Sequence, residues 1–184
     1  MRWFWIDRFV EFVHETRAVA EKAVTLGEEH LFDYFPGFPV MPVSLIIEGL
    51  AQTGGLLVGE SHAFQRRIVL AKVGKSKFHA EVRPGDVLRY DVTIKDLGSD
   101  GAMIEGQATV AGHLRAEVEL FFAYIDDRFP DVDLFDPADF LATLRLFGVY
   151  DVGCYPDGTP LRVPADLLAA EQQQHRDRSL ADEP

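Results

Sequence analysis

The stretch PVSLIIEGLAQTGGLLVGE, residues 42–60, decides the fold. Pro42 is a favourable start for a helix, because its missing N–H would have no partner in the first turn anyway. From Val43 to Glu60, apolar side chains fall on nearly every side of a helical wheel. Such a helix is buried on all sides rather than lying on a surface. We therefore predict a long helix enclosed by the rest of the chain.

Segments on both sides of this helix show the two-residue alternation of apolar and polar residues that is typical of strands. The clearest is LRYDVTIK, residues 88–95, which lies between the turn sequences RPGD (83–86) and GSDG (98–101). Further strands are predicted over residues 4–13, 17–25, 66–73, 77–82, 104–110 and 114–122. The predicted class is α+β, with a long central helix wrapped by a curved antiparallel sheet.

The chain changes character after Asp126. Asp136 followed by Pro137 is typical of a helix start, and Gly148 of a helix end. Apolar residues at helical spacing lie between them: Phe140, Leu141, Leu144 and Phe147. A Gly/Pro-rich stretch and a second helical segment with a charged tail follow. We predict a domain over residues 1–126 and a helical C-terminal extension over residues 127–184.

Composition excludes several classes of protein. The 184 residues carry 30 Asp and Glu against 18 Lys and Arg, a net charge of -12 that disfavours nucleic acid as a partner. Cys154 is the single cysteine, so no intramolecular disulfide can form, and we interpret it as a small packing residue. No apolar run approaches the length of a membrane span, and charges interrupt the aromatic N-terminus. These features predict a cytoplasmic protein.

One face of the predicted helix carries polar groups. Ser44, Glu48 and Gln52 are spaced four residues apart. A buried carboxylate is costly, so Glu48 must be paired, reach solvent at a cleft, or be protonated. It is therefore either a structural residue at a subunit interface or a general acid. Three helical glycines, Gly49, Gly54 and Gly55, predict either close approach of another backbone or of a ligand, or loosely formed helix ends.

The segment YFPGFPVMPVSLIIEGLAQTGGLL, residues 34–57, resembles the active-site segment of the FabZ family of 3-hydroxyacyl-[acyl-carrier-protein] dehydratases, HFPGHPxMPGxLxxEAxAQ. FWIDRFVEF (4–12) is similar to the opening strand of that family. KVGKSKFHAEVRPGDVL (72–88) and VAGHLRAEVELFFAYI (110–125) are similar to its later strands. The resemblance covers about residues 3–125 and implies a hotdog fold.

The resemblance also implies an activity, the elimination of water from a 3-hydroxyacyl thioester. It places the family's helix carboxylate on Glu48, as general acid or base, and backbone N–H groups near the helix start against the thioester carbonyl. The family's catalytic His falls on Tyr34, whose ordinary pKa near 10 suits a base poorly but suits a hydrogen-bond donor or acid. His30 and His79 are the nearest histidines that could substitute for it. The implied substrate-binding positions are Gly37, Phe38, Val43 and Gln52.

A local excess of basic residues interrupts the acidic chain. Residues 66–83 contain six Lys and Arg against Glu81, a local charge of +5. Acyl-carrier proteins are acidic, so this segment is a candidate docking surface, whereas the alternative is an edge strand protected by lysines. The docking residues that we assign are Arg66, Arg67, Lys75 and Lys77.

The remaining predictions concern partners and rival functions. No histidine pair has metal-ligand spacing, so we expect no metal and no other cofactor. The resemblance implies a homodimer, or a trimer of dimers, acting on a thioester of acyl-carrier protein or coenzyme A, with each site built from the FPG loop of one chain and the helix Glu of the other. The rivals are a non-catalytic acyl-thioester-binding subunit and a hotdog thioesterase.

Overall fold

A computed structural model describes residues 4–33, 37–125 and 135–181 of the chain. A seven-stranded sheet encloses one long helix, in the strand order β3-β6-β5-β4-β2-β1-β7. The strands are β1 (Arg8–Val13), β2 (Arg17–Ala23), β3 (Ile68–Phe78), β4 (Val87–Leu97), β5 (Gly101–Val110), β6 (His113–Tyr124) and β7 (Gly153–Cys154). The helices are α1 (Glu29–Asp33), α2 (Val43–Glu60), α3 (Pro137–Leu146), α4 (Val149–Val152) and α5 (Ala165–Ala181).

The predicted α+β architecture is confirmed, with α2 as the central helix. All strand pairs are antiparallel except β1 with β7, which are parallel. From Leu56 to its end α2 is buried, whereas Val43 and Ser44 in its first turn are exposed. The prediction of burial on all sides therefore holds only for the last five residues of the helix. None of the helices in the described part of the chain is long and apolar enough to cross a membrane.

The glycines of α2 let the sheet approach the helix closely. A Cβ on Gly49 would collide with the ring of Tyr90, and one on Gly54 would collide with Ile104. The predicted close approach is thus made by side chains of β4 and β5 rather than by another backbone. The same packing buries the Tyr90 hydroxyl, and this burial raises the pKa of Tyr90.

Strand β3 differs from the prediction of two short strands over 66–73 and 77–82. It runs without a break from Ile68 to Phe78, and its pairing with β6 shifts register at two irregularities. The second lies between Val73 and Ser76, where the sequence GKS suggested a gap. A bulge accommodates the extra residue while the strand continues, so the polar stretch marks an irregularity and not an end.

The C-terminal segment packs onto the same core as the rest of the chain. Asp136 caps α3 by accepting hydrogen bonds from the N–H groups of Ala138 and Asp139, as its sequence predicts. Gly148, the predicted helix end, follows that helix and adopts a left-handed conformation. The apolar face of α3 joins the core cluster through Phe140, Leu141, Leu144 and Phe147. Strand β7 was not predicted, because two residues are too few to show an alternation.

Candidate active site

One face of α2 borders a cavity of about 220 Å³. Glu48, Gln52, Gly55 and Gly59 all line it. Their spacings of four, three and four residues place them in one row along the helix. Apart from Glu48, Gln52 and Arg66, the lining is apolar or glycine, including Ala51, Leu56, Ile68, Leu70 and Phe122. The cavity therefore presents one carboxylate at the side of a narrow apolar channel.

Glu48 is held in place by two further groups. Gln52 Nε2 donates a hydrogen bond of 2.9 Å to Glu48 Oε1, and the backbone N–H of Trp5 donates one of 2.9 Å to Gln52 Oε1. Because a backbone N–H can only donate, it fixes which end of the Gln52 amide faces the carboxylate. Of the three options for this half-buried Glu, the structure has it both paired and open to a cleft.

The other positions named from the resemblance lie elsewhere in this chain. Gly37 and Phe38 are exposed ahead of α2, and Val43 is exposed in its first turn. The guanidinium of Arg83 stacks over the Phe38 ring at 4.7 Å. None of these residues lines the cavity beside Glu48. Tyr34, with Phe35 and Pro36 of the motif, lies outside the described residues.

Neither candidate substitute histidine lines the cavity. His30 lies edge-on to Trp5, with ring centroids 5.1 Å apart, and burial lowers the pKa of His30. Its buried Nε2 lies 3.4 Å from Glu28 Oε2. His79 Nε2 lies 2.9 Å from Glu117 Oε2 on the neighbouring strand. Among the side chains that the structure describes, no group of three or more His, Cys, Asp or Glu could hold a metal ion.

The four proposed docking residues fall into two separate groups along β3. Arg66 and Arg67 precede the strand, and the Arg66 guanidinium stacks over Tyr124 at 4.2 Å. Lys75 and Lys77 lie further along it, in a depression that they share with Glu105, Glu117 and Glu119. A count along the sequence could not include these carboxylates, because they come from strands β5 and β6. The local charge near the lysines is therefore lower than the sequence window indicated.

Two aromatic side chains and one backbone group belong to the site and were not predicted. Phe64 and Phe135 line the cavity together with Phe140 of the apolar α3 face, and Trp5 positions Gln52 through its N–H. Gly55 and Gly59, which share the Glu48 face of α2, were a usable signal for a group packed close to that face. The role of Trp5 left no signal, because every residue except proline carries a backbone N–H.

Comparison with known proteins places the chain in a family. A model of the FabA-like domain matches residues 3–119, which is more than half of the chain. The chain belongs to the FabA-like family. A 3-hydroxyacyl-[acyl-carrier-protein] dehydratase FabZ of Thermomicrobium roseum is 41% identical to this FabA-like protein over 122 residues, which are 66% of this chain and 82% of that protein.

Solved structures with low identity share the fold of this FabA-like chain. The dehydratase heterocomplex ApeI:P from Xenorhabdus doucetiae superposes with a TM-score of 0.55 at 14% identity, over 65% of this chain and 82% of that chain. An uncharacterized protein from Pyrococcus horikoshii superposes with a TM-score of 0.56 at 14% identity, over 70% of this chain and 89% of that chain. The predicted hotdog fold is confirmed.

Proposed function

We propose that the protein is a 3-hydroxyacyl-acyl-carrier-protein dehydratase, which converts a 3-hydroxyacyl thioester into a trans-2-enoyl thioester and water. The observation that carries this proposal is the Glu48 carboxylate, fixed by Gln52 at the side of an apolar channel. An acyl chain would lie in the channel, with its oxygenated carbons beside the carboxylate. The match to a FabZ dehydratase at 41% identity supports the same reaction.

The elimination requires two proton transfers. A base removes the proton from C2, the C2–C3 double bond forms, the C3–O bond breaks, and an acid protonates the departing hydroxyl. With Tyr34 at the position of the family's His, Glu48 is the residue that we assign to both transfers, accepting the C2 proton and passing it to the hydroxyl. Tyr34 orients the substrate by a hydrogen bond or shares the second transfer.

The thioester carbonyl needs stabilisation as negative charge develops on its oxygen. We assign this role to N–H groups at the start of α2, where the partial positive charge of the helix dipole lies. The N-cap position is Pro42, which has no side-chain oxygen that could occupy those groups. Gly37, Phe38 and Val43 lie around this helix start and would contact the substrate there.

We propose a homodimer in which each site combines two chains. Phe38 and Val43 are exposed apolar residues that do not reach the cavity of their own chain. A second chain whose helix start covers the open side of the cavity would bring them to Glu48. The domain over residues 1–126 would form this dimer, with the extension over residues 127–184 packed outside it. Light scattering of the natural protein would measure whether such dimers assemble further into a trimer of dimers.

We further propose that an acyl-carrier protein docks near Arg66 and Arg67. Arg66 lines the cavity, whereas Lys75 and Lys77 share their surroundings with three glutamates. Replacing Arg66 and Arg67 with Ser should weaken carrier binding at low salt, because electrostatic attraction to an acidic partner is lost. The matched double replacement of Lys75 and Lys77 should weaken it less, and equal effects would contradict docking at the arginine end.

One assay distinguishes the reaction from its rivals. Hydration of a trans-2-enoyl thioester is followed together with thiol release, in the natural protein and in Glu48→Gln. A hydration rate that is about 10²-fold or more lower in Glu48→Gln than in the natural protein supports the dehydratase. Thiol release without hydration would indicate a thioesterase.

Tyr34 in place of the family's His favours a second candidate, a non-catalytic acyl-thioester-binding subunit. An inert natural protein whose Tyr34→His variant gains hydration would establish that candidate.

A further inference from the structure

The C-terminal extension lines the part of the cavity beside Glu48 that lies at the end of α2. Phe140 of α3 and Phe135, which precedes that helix, line the same cavity as Glu48. The match to the FabA-like domain ends at residue 119, so both residues lie beyond the matched region. A part of the chain that the family model does not include therefore contributes to the wall of the candidate active site.

Phe64 completes this end wall from the other side. It follows the end of α2 in a left-handed conformation, φ 58°, and its N–H donates to the Gly59 carbonyl over 2.8 Å. This turn folds its ring back over the helix, where Gly59 has no Cβ to obstruct it; a Cβ there would lie 2.9 Å from the Phe64 ring. A bulky non-glycine residue with positive φ is strained, which indicates that the surrounding packing holds Phe64 in this position.

The three rings form a continuous apolar barrier. Phe64 and Phe140 meet edge to face, with centroids 5.1 Å apart, and Phe135 stacks on Phe140 with centroids 4.0 Å apart. Phe140 is only 7% exposed. The edge-to-face contact of Phe64 and Phe140 is a geometry that aromatic pairs prefer, and Phe135 lies in close contact with the Phe140 ring, so the barrier is a packed wall.

The wall is anchored and does not resemble a hinged lid. Leu141 and Leu144 on the same helix are fully buried in the core. The carbonyl of Phe147 accepts a hydrogen bond of 2.8 Å from the N–H of Phe9, on the first strand. Moving Phe140 out of the channel would therefore require α3 to leave both the core and the sheet edge.

We infer that Phe140, together with Phe64 and Phe135, limits the length of the acyl chain that the protein accepts. Gly59 lies eleven positions after Glu48, a rise of about 16 Å along a helix, so the acyl chain is limited to that span. The cavity volume of about 220 Å³ is below the ~300–1,000 Å³ of pockets for drug-sized ligands. The assignment of the ligand as an acyl group rests on the proposed function, whereas the position of the three rings does not.

The test compares chain-length profiles of three variants of the full chain. Hydration rates are measured on trans-2-enoyl thioesters of increasing length, for the natural protein, Phe140→Ala and Phe140→Trp. Shortening the side chain should move the longest accepted chain upwards, and enlarging it should move that limit downwards. Since one methylene in an apolar pocket changes selectivity by about 10–200-fold, the shift should be evident between neighbouring lengths.

Phe147→Ala is the matched control. Phe147 is also a buried aromatic residue at the end of the same helix, packed on Phe4, and it does not line the cavity. Its replacement should lower thermal stability and leave the chain-length profile unchanged. A profile that shifts equally in Phe147→Ala, or that does not shift in Phe140→Ala, would overturn the inference. Phe140→Leu, which retains most of the apolar contact, serves if the Ala variant fails to fold.

Binding measurements separate this inference from the proposed reaction. Thioether analogues of the same acyl series, which cannot react, are titrated against each variant by calorimetry. A protein that hydrates nothing but binds short analogues, with the limit raised in Phe140→Ala, would refute the dehydratase and support the wall. Absence of binding to every analogue, or binding that is independent of chain length in the natural protein, would refute the wall itself.

Discussion

The two ends of helix α2 have opposite surroundings. At its start, Val43 and Ser44 are exposed and the preceding Phe38 lies on the surface. At its end, Glu60 is buried, and Phe140 of the extension lines the cavity beside the last turns. The start of α2, the open end, is thus exposed, and the end of α2, the closed end, is covered by the same chain. The exposed start would let a carrier-bound substrate enter, and the covered end would limit the length of its acyl chain.

The largest effect is expected from Val43→Asp, which places a negative charge at the open end of α2. Val43 is 50% exposed, and an acidic residue in the first turn of a helix is favourable, so folding should persist. The charge should oppose contact with a partner chain and misplace the loop that completes the site. We expect monomers by light scattering and a fall in hydration of about 10²-fold.

Val152→Asp provides the control for that experiment. Val152 lies on α4 of the extension and is 37% exposed, and its substitution should leave both the assembly and the rate unchanged. A dimeric and active Val43→Asp variant would contradict the two-chain site.

The next effect concerns the closed end, where Leu144→Ala removes a fully buried side chain of α3. Creating a cavity of this kind costs about 2–5 kcal/mol of the free energy of unfolding. Leu146→Ala, two residues away and 69% exposed, should change it by less than about 0.5 kcal/mol. Denaturant melts of the two variants measure the difference. Equal free energies of unfolding for the two variants would show that packing of α3 does not stabilise the core.

A smaller loss is expected from Asp136→Ala, which removes the cap of α3. Asp136 accepts hydrogen bonds from two backbone N–H groups at distances of 2.9 and 3.0 Å. Loss of such a cap costs about 1 kcal/mol. Asp136→Asn should recover most of this amount, because its side-chain oxygen can accept the same bonds. A denaturant melt in which Asn is no better than Ala would exclude the capping role.

The smallest expected effect is on the pH dependence of stability, through Glu60 at the closed end. Burial raises the pKa of Glu60 above its ordinary value of 4.5, against the opposing influence of His14, whose Nδ1 lies 2.6 Å away. Between the ordinary and the raised pKa, the folded state holds a proton that the unfolded state has released. Stability should therefore fall as pH rises through this window.

Glu60→Gln should flatten that fall, because the amide does not titrate. The control is Glu81→Gln, which changes a carboxylate on the exposed turn before β4. Thermal melts across the acidic range measure both. A Glu60→Gln variant that keeps the full slope would assign the pH dependence to another group.

The sequence predicted the parts of the fold that repeat a local pattern. The alternation along residues 88–95 and the apolar run of α2 place β4 and the central helix, since burial follows directly from those periods. The irregularities of β3 were not predicted, because the sequence GKS is compatible with a loop as well as with a bulge. The glutamates beside Lys75 and Lys77 come from other strands, so only the pairing of β6 with β3, and of β5 with β6, reveals them.

In the candidate site, too, local spacing predicts some neighbours and misses others. Glu48 and Gln52 share a helix face, and their spacing of four residues is sufficient to predict that they are neighbours. The wall of Phe64, Phe135 and Phe140 joins residues more than 70 positions apart, which no local pattern can bring together. The role of Tyr34 stays a prediction, because this residue lies outside the described part of the chain.

Strand β7 determines at which edge of the sheet a further strand could pair. It pairs with the end of β1, the Cys154 carbonyl accepts from the N–H of His14, and the Phe147 carbonyl accepts from Phe9. The extension thus occupies backbone groups along the outer edge of β1, whereas β3 at the opposite edge has its second side open within the described residues. A sheet with one available edge can join one neighbour across a two-fold axis, which terminates growth instead of propagating a fibre.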